Sequence, residues 1–355
     1  MKRALAIAAL LPLTLGLLPA AASATPPSVG GATLTWQLSP TGVAARFRGL
    51  SAVSRNVAWV SGSLGTVLRT TDGGRSWRNV SPPDVAGLQF RDIEAFDAHN
   101  AVILSIGEGE ASRVYRTTDG GASWTETFRN TEPTAFYDCM AFFDRRHGLA
   151  LSDPVGGKFR VLSTSDGGGS WTVLPDGGMP PALTGEFAFA ASGQCLTVAG
   201  GRDAWIATGG GAQARVLHSA DRGRSWTVSV TPLASSSSAG VFATAFRNRH
   251  DGIAVGGDFA NPANGVDALA FTRDGGRTWA EPSTAPQGYR SGVTFHPWFP
   301  GVAFAVGPTG SDVTLDGGRG WRQFDAGSFD TVDCTRDGSC WASGEQGRVA
   351  TLRLG

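Results

Sequence analysis

The chain has 355 residues, 30 basic and 30 acidic side chains and a formal net charge of zero, with 50 glycines and four cysteines. That balance offers no basic stripe for nucleic acid and no charged tail that would read as disorder. Short β-branched and aromatic runs between glycines, with few helical periodicities, point to an all-β protein.

At the start, Lys2 and Arg3 precede an apolar stretch over 5–18 and the small residues Ala22-Ser23-Ala24. This reads as an export signal cleaved after residue 24. Residues 25–355 would then be a single domain in the periplasm or outside the cell. A retained anchor is the rival reading, but Pro12, Gly16 and Pro19 interrupt a run already short for a span. No later stretch is apolar for long enough to cross a bilayer.

From residue 70 one phrase recurs six times, first as Thr70-Thr71-Asp72-Gly73-Gly74-Arg75-Ser76-Trp77. Its aspartates and tryptophans are Asp72 and Trp77, Asp119 and Trp124, Asp166 and Trp171, Asp221 and Trp226, Asp274 and Trp279, and Asp316 and Trp321. The last copy has Gly320 where a hydroxyl residue stands in the others. So regular a recurrence of one long phrase indicates a stacked repeat architecture. The expected local structure is a tight turn. Asp accepts hydrogen bonds from N–H groups two or three residues on, the glycines take positive φ, and Trp opens the next strand. All twelve residues are therefore assigned to scaffold, not chemistry.

Each repeat also carries a first strand (47–53 and 90–96 are examples), a small-residue second strand (58–61, 148–152) and a third strand running into the turn (66–70, 114–118, 160–164). With the strand opened by Trp, this makes a four-stranded antiparallel propeller blade. The C-terminal region adds three strands over 332–335, 340–343 and 348–352. Thr35-Trp36-Gln37-Leu38-Ser39-Pro40 matches Ser170-Trp171-Thr172-Val173-Leu174-Pro175. The N-terminal strand is thus expected to complete the last blade, giving seven blades in a ring without a free edge. Longer insertions fall around 208–214 and 258–267.

The cysteines fit an oxidising compartment. Cys334 and Cys340 flank a five-residue turn and could bridge one hairpin. Cys139 and Cys195 lie in neighbouring repeats and could pair where their strands meet, with free buried thiols as the alternative. Neither these spacings nor those of His99, His147, His218, His250 and His296 form a metal motif. No metal or cofactor is expected.

The turn phrase is the pattern called the Asp box, or bacterial neuraminidase repeat. The longer phrase Phe47-Arg48-Gly49-Leu50, Trp59-Val60-Ser61-Gly62 and Gly65-Thr66-Val67 before the first copy resembles the photosystem II stability/assembly factor family. That resemblance implies a seven-bladed propeller, lumenal or periplasmic, acting as a non-catalytic binding factor. Sialidases share the Asp boxes but have six blades and a Phe-Arg-Ile-Pro phrase, which this chain lacks. A sialidase-like nucleophile would have to be Tyr115, Tyr137 or Tyr289.

Propellers bind at the channel mouth, where first strands begin. Aligning those strands places Arg48, Arg91, Tyr137, Thr184, Val241, Arg290 and Phe329 in one ring, and Gly49, Asp92, Asp138, Gly185, Phe242, Ser291 and Asp330 in the next. Three guanidiniums at one level favour a carboxylate or phosphate. The carboxylates one step away could instead neutralise them. Glu186 and Glu94 lie near the same end. The expectation is a binding propeller that takes a protein, or an anionic ligand or glycan, at this mouth. The alternative is a secreted glycoside hydrolase using carboxylates such as Glu186 and Asp138. A redox enzyme, as some relatives are labelled, is the third.

Overall fold

The computed structural model of the protein describes residues 28–29 and 32–355; the expected export signal lies outside them. Five of its six aspartate turns close alike, and the sixth differs only in having Gly320 in place of the second hydroxyl residue. In the first, the Thr70 hydroxyl donates to Asp72 Oδ1 at 2.8 Å and accepts the Gly74 N–H at 2.9 Å. Asp72 also accepts the Ser76 N–H at 3.0 Å and the Ser76 hydroxyl at 2.6 Å. The donors thus stand mainly four residues on, further than the two or three expected. Gly73 and Gly74 both hold positive φ. A side chain would be strained in that region. The hydrogen bonds favour the charged carboxylate and pull the Asp72 pKa down to about 2.

The turns join strands into seven antiparallel sheets. Blades 1 to 7 begin with the inner strands Phe47–Ala52, Gln89–Ala95, Tyr137–Phe142, Leu196–Ala199, Ala239–Phe246, Gly292–Phe295 and Thr331–Cys334. Strand order within blades 1 to 6 follows the chain outward, so neighbours need only tight connections. Blade 5 has three strands; its outermost position shrinks to a reciprocal pair between Phe271 and Ala280. Pro282 follows two residues later and has no N–H with which to extend the ladder.

Blade 7 joins the two ends of the chain. Ala32–Leu38 pairs antiparallel with Val349–Leu354, Trp36 opposite Leu352, and the short strand Ser28–Val29 adds a fifth member. The Trp36 ring is buried and its indole N–H donates to Ser311 Oγ of blade 6 at 2.9 Å.

The core lies between blades, not within one sheet. Trp77 and Trp124 donate across to Ser39 and Val80 at the outer edges of the preceding blades. Trp226 and Trp321 instead bond carbonyls of their own turns, Gly223 and Gly318. Cys139 and Cys195 are bonded, tying the inner strand of blade 3 to the start of that of blade 4. Cys334 and Cys340 are bonded across one hairpin of blade 7. Among the described residues no helix is long and apolar enough to cross a membrane.

Candidate functional site

A β-bulge interrupts the inner strand of blades 1, 2, 3 and 5 at one equivalent position. In blade 1 Phe47 faces Gly62 and Gly49 faces Ser61, leaving Arg48 outside the ladder. Arg91, Asp138 and Phe242 are excluded in the same way from blades 2, 3 and 5. A bulge re-aims its extra residue. All four side chains line one cavity of about 640 Å³ at the channel mouth.

The bulge corrects the expected rings by one residue. Arg48 and Arg91 belong with Asp138, Phe242, Ser291 and Asp330, whereas Tyr137, Val241, Arg290 and Phe329 align with Phe47 and Phe90. Those six, Phe47 and Phe90 included, are fully buried among the blades. Arg290 is therefore no part of a mouth cluster. Its Nε donates to Asp312 Oδ2 at 2.6 Å and its Nη1 to Thr309 at 2.8 Å. Burial pushes the Tyr137 phenol up to about 12.

Three further expectations are corrected. Glu186 is buried in blade 4, paired with Arg215 and accepting the Thr208 hydroxyl at 2.6 Å, so it does not face the mouth. Thr184 and Gly185 form a turn, and the inner strand of blade 4 starts only at Leu196. Asp92 lies deeper, accepting the N–H groups of Ile93 at 2.8 Å and Met140 at 2.6 Å. It lines a second cavity of about 280 Å³ with Glu94 and Asp333.

The two cavities are separated by a strap over residues 187–194, in the stretch expected as the inner strand of blade 4. It bonds to blades on every side. The Ala188 N–H donates to Asp153 of blade 3 at 2.8 Å, and the Ala190 carbonyl accepts from Arg91 of blade 2 at 2.8 Å. The Gln194 carbonyl accepts the Thr244 N–H of blade 5 at 3.1 Å. Its side chain accepts the Val293 N–H of blade 6 at 2.9 Å and donates to the Val332 carbonyl of blade 7 at 3.0 Å. A Cβ on Gly193 would meet Asp92 Oδ1 at 2.6 Å, so only glycine fits there. The sequence held one signal for the strap: Asp166 and Asp221 stand further apart in the chain than Asp72 and Asp119, or Asp119 and Asp166.

The mouth has a charged side and an apolar side. Asp330 is taken bidentately by Arg46, at 2.6 and 2.8 Å, a residue absent from the expected rings. Arg48 is mostly buried, with its nearest carboxylate oxygen 3.8 Å away on Asp330, and its Nε has no partner among the described residues. Burial lowers the Arg48 pKa, with Asp330 opposing. On the apolar side of the mouth, Phe189 stacks on Phe242 with ring centroids 3.8 Å apart, and Phe242 meets Tyr289 edge-on at 4.7 Å. Phe259, from the insertion in blade 5, extends this wall. Among the described residues no group of three or more His, Cys, Asp or Glu side chains is arranged to hold a metal.

No family model matches the chain. No curated protein matches it either. Solved structures share its fold. The structure of YCF48 bound to D1 peptide superposes with a TM-score of 0.62 at 14% identity, covering 94% of this chain and 98% of that one. YCF48 from Cyanidioschyzon merolae gives 0.61 at 16% identity, covering 90% and 98%. The GH74 enzyme of Niastella koreensis gives 0.62 at 14% identity, covering 88% of this chain but 53% of that one. The chain is thus a seven-bladed propeller whose fold resembles that of YCF48, a photosystem II assembly factor.

Proposed function

We propose that this chain is an exported, non-catalytic binding propeller whose channel mouth captures a carboxylate carried on an apolar polypeptide segment. The observation that carries the reading is the shared bulge, which delivers Arg48, Arg91 and Phe242 into one cavity beside an aromatic wall. Guanidiniums bind carboxylates through directional, charge-assisted hydrogen bonds, and Arg48 is desolvated with an unspent donor. Stacked phenylalanines supply the apolar contact that gives such a complex its affinity. A YCF48 propeller of the same fold has been solved bound to D1 peptide, which supports a polypeptide partner here. Export rests on the N-terminal sequence pattern alone.

Calorimetric titration with 3-phenylpropionate and its neutral amide tests this. The acid should bind saturably and at least tenfold more tightly than the amide. The preference should weaken with salt and vanish when Arg48 and Arg91 are both changed to Met. Equal affinity for acid and amide would contradict the reading. Turnover of a chromogenic glycoside, lost on Asp138→Asn, would replace it with the hydrolase alternative.

A further inference from the structure

The carboxyl groups of Asp138 and Asp153 are the part of the mouth that a carboxylate ligand leaves unexplained. Asp138 is the bulge residue of blade 3 and is 1% exposed. No donor among the described residues reaches its Oδ2, and its carboxyl lies within hydrogen-bond reach of that of Asp153, so one retained proton is shared between the two. Asp153 comes from the adjacent strand Gly148–Val155 and spends Oδ1 on the Ala188 N–H of the strap at 2.8 Å. Both line the mouth cavity.

Structural carboxyl groups are normally neutralised by a cation or saturated by hydrogen bonds, since an unpaired buried charge is costly. Here none of the cations around the same cavity is paired with either aspartate. Arg46 is held by Asp330, Arg91 by the Ala190 carbonyl, and Arg48 and Glu345 form no ion pair with either aspartate. Asp92, on the neighbouring inner strand, bonds the Met140 N–H and brings no positive charge. Burial therefore pushes both carboxyls upward, and the charge of Asp153 adds to the effect on Asp138. Asp153 is pushed up to about 7. Unspent buried polar groups with shifted protonation collect at functional sites.

We propose that the Asp138–Asp153 pair is a cation subsite, and that the segment bound at the mouth carries a basic side chain close to its carboxylate. This rests on the reading above for the anionic half of the ligand. The aromatic neighbours suit the cation's stem. Phe187 and Phe189 flank Ala188, the residue tied to Asp153, and both rings line the cavity. Such rings cover the methylenes of a lysine or arginine while the charged head reaches the carboxyls. Without ligand the pair retains a proton near neutrality; an arriving cation displaces it.

The test is titration with 3-phenylpropylammonium and its neutral counterpart 3-phenyl-1-propanol at pH 6 and pH 8, using the wild-type chain, Asp138→Asn and Asp153→Asn. Asparagine copies the protonated carboxyl in shape, so the variants retain the fold. The ammonium should bind at least tenfold better than the alcohol at pH 8, and at pH 6 its binding should release a proton. Its affinity should rise about tenfold from pH 6 to pH 8, as the pair loses its proton. Each Asn variant should reduce the ammonium to the level of the alcohol and erase the pH response. Equal binding of ammonium and alcohol, absence of ammonium binding, or a pH response that survives in both variants would overturn the proposal. Titration of the same three proteins with 3-phenylpropionate separates the two readings: failure at the guanidiniums removes the preference for the acid, whereas failure at the carboxyl pair leaves it intact.

Discussion

Arg290 and Arg48 stand at positions that differ by one residue in register, and their surroundings are opposite. Arg290 and Asp312 face each other with both side chains withdrawn from water. Arg48 has its closest carboxylate at 3.8 Å, leaves its Nε unbonded and lines a cavity. Removing one member of a buried pair strands the other, at a cost of about 3–5 kcal/mol. Arg290→Met should accordingly lower the urea stability by about that much, and pairing it with Asp312→Leu should restore most of the loss. Arg48→Met should change stability by less than about 1 kcal/mol. Similar losses for Arg290→Met and Arg48→Met would show that the two arginines have been assigned to the wrong environments. The sequence does not announce this difference. Each arginine follows an aromatic residue, Phe47 or Tyr289, and only the bulge decides which of two consecutive side chains turns to the mouth.

At the scale of the element, the aspartate turns were legible because their chemistry is local. Each pairs a hydroxyl and a carboxylate within one short phrase, so the hydrogen bonds follow from spacing. The sixth turn tests this. Gly320 donates its N–H to Asp316 Oδ1 at 3.0 Å but lacks the hydroxyl that reaches Oδ2 elsewhere. A Cβ there would lie 3.4 Å from Asp316 Oδ2 and 3.7 Å from Ser283 Oγ, in ordinary contact. Gly320→Ser should stabilise the protein by roughly 0.5–1 kcal/mol, through one new hydrogen bond and a less flexible unfolded chain. A lower melting temperature in the variant would mean that the turn does not draw on that bond. The strap over 187–194 was illegible for the opposite reason. Its alternating Phe187-Ala188-Phe189-Ala190 has the period of a strand, but beyond the pairing of Phe187 with Gly209 of its own blade its partners are donors and acceptors on five other blades. Sequence spacing reports that extra chain is present without saying where it goes.

For the whole molecule, closure was readable because the chain repeats itself. The strand near Trp36 copies the one that follows each aspartate turn, so pairing it with Val349–Leu354 satisfies an edge that would otherwise be open. Seven sheets around an axis then fix which side chains can meet. Arg48, Arg91, Asp138 and Phe242 meet although four different repeats supply them. The disulfide from Cys139 to Cys195 fastens the C-terminal end of the strap beside this mouth. The functional account depends on that convergence more than on any one residue. A crystal structure of the protein soaked with 3-phenylpropionate examines it most directly. The account predicts the carboxylate against Arg48 and Arg91, with its ring on the face formed by Phe189 and Phe242. A probe seated elsewhere, or a mouth left empty at saturating concentration, would contradict it.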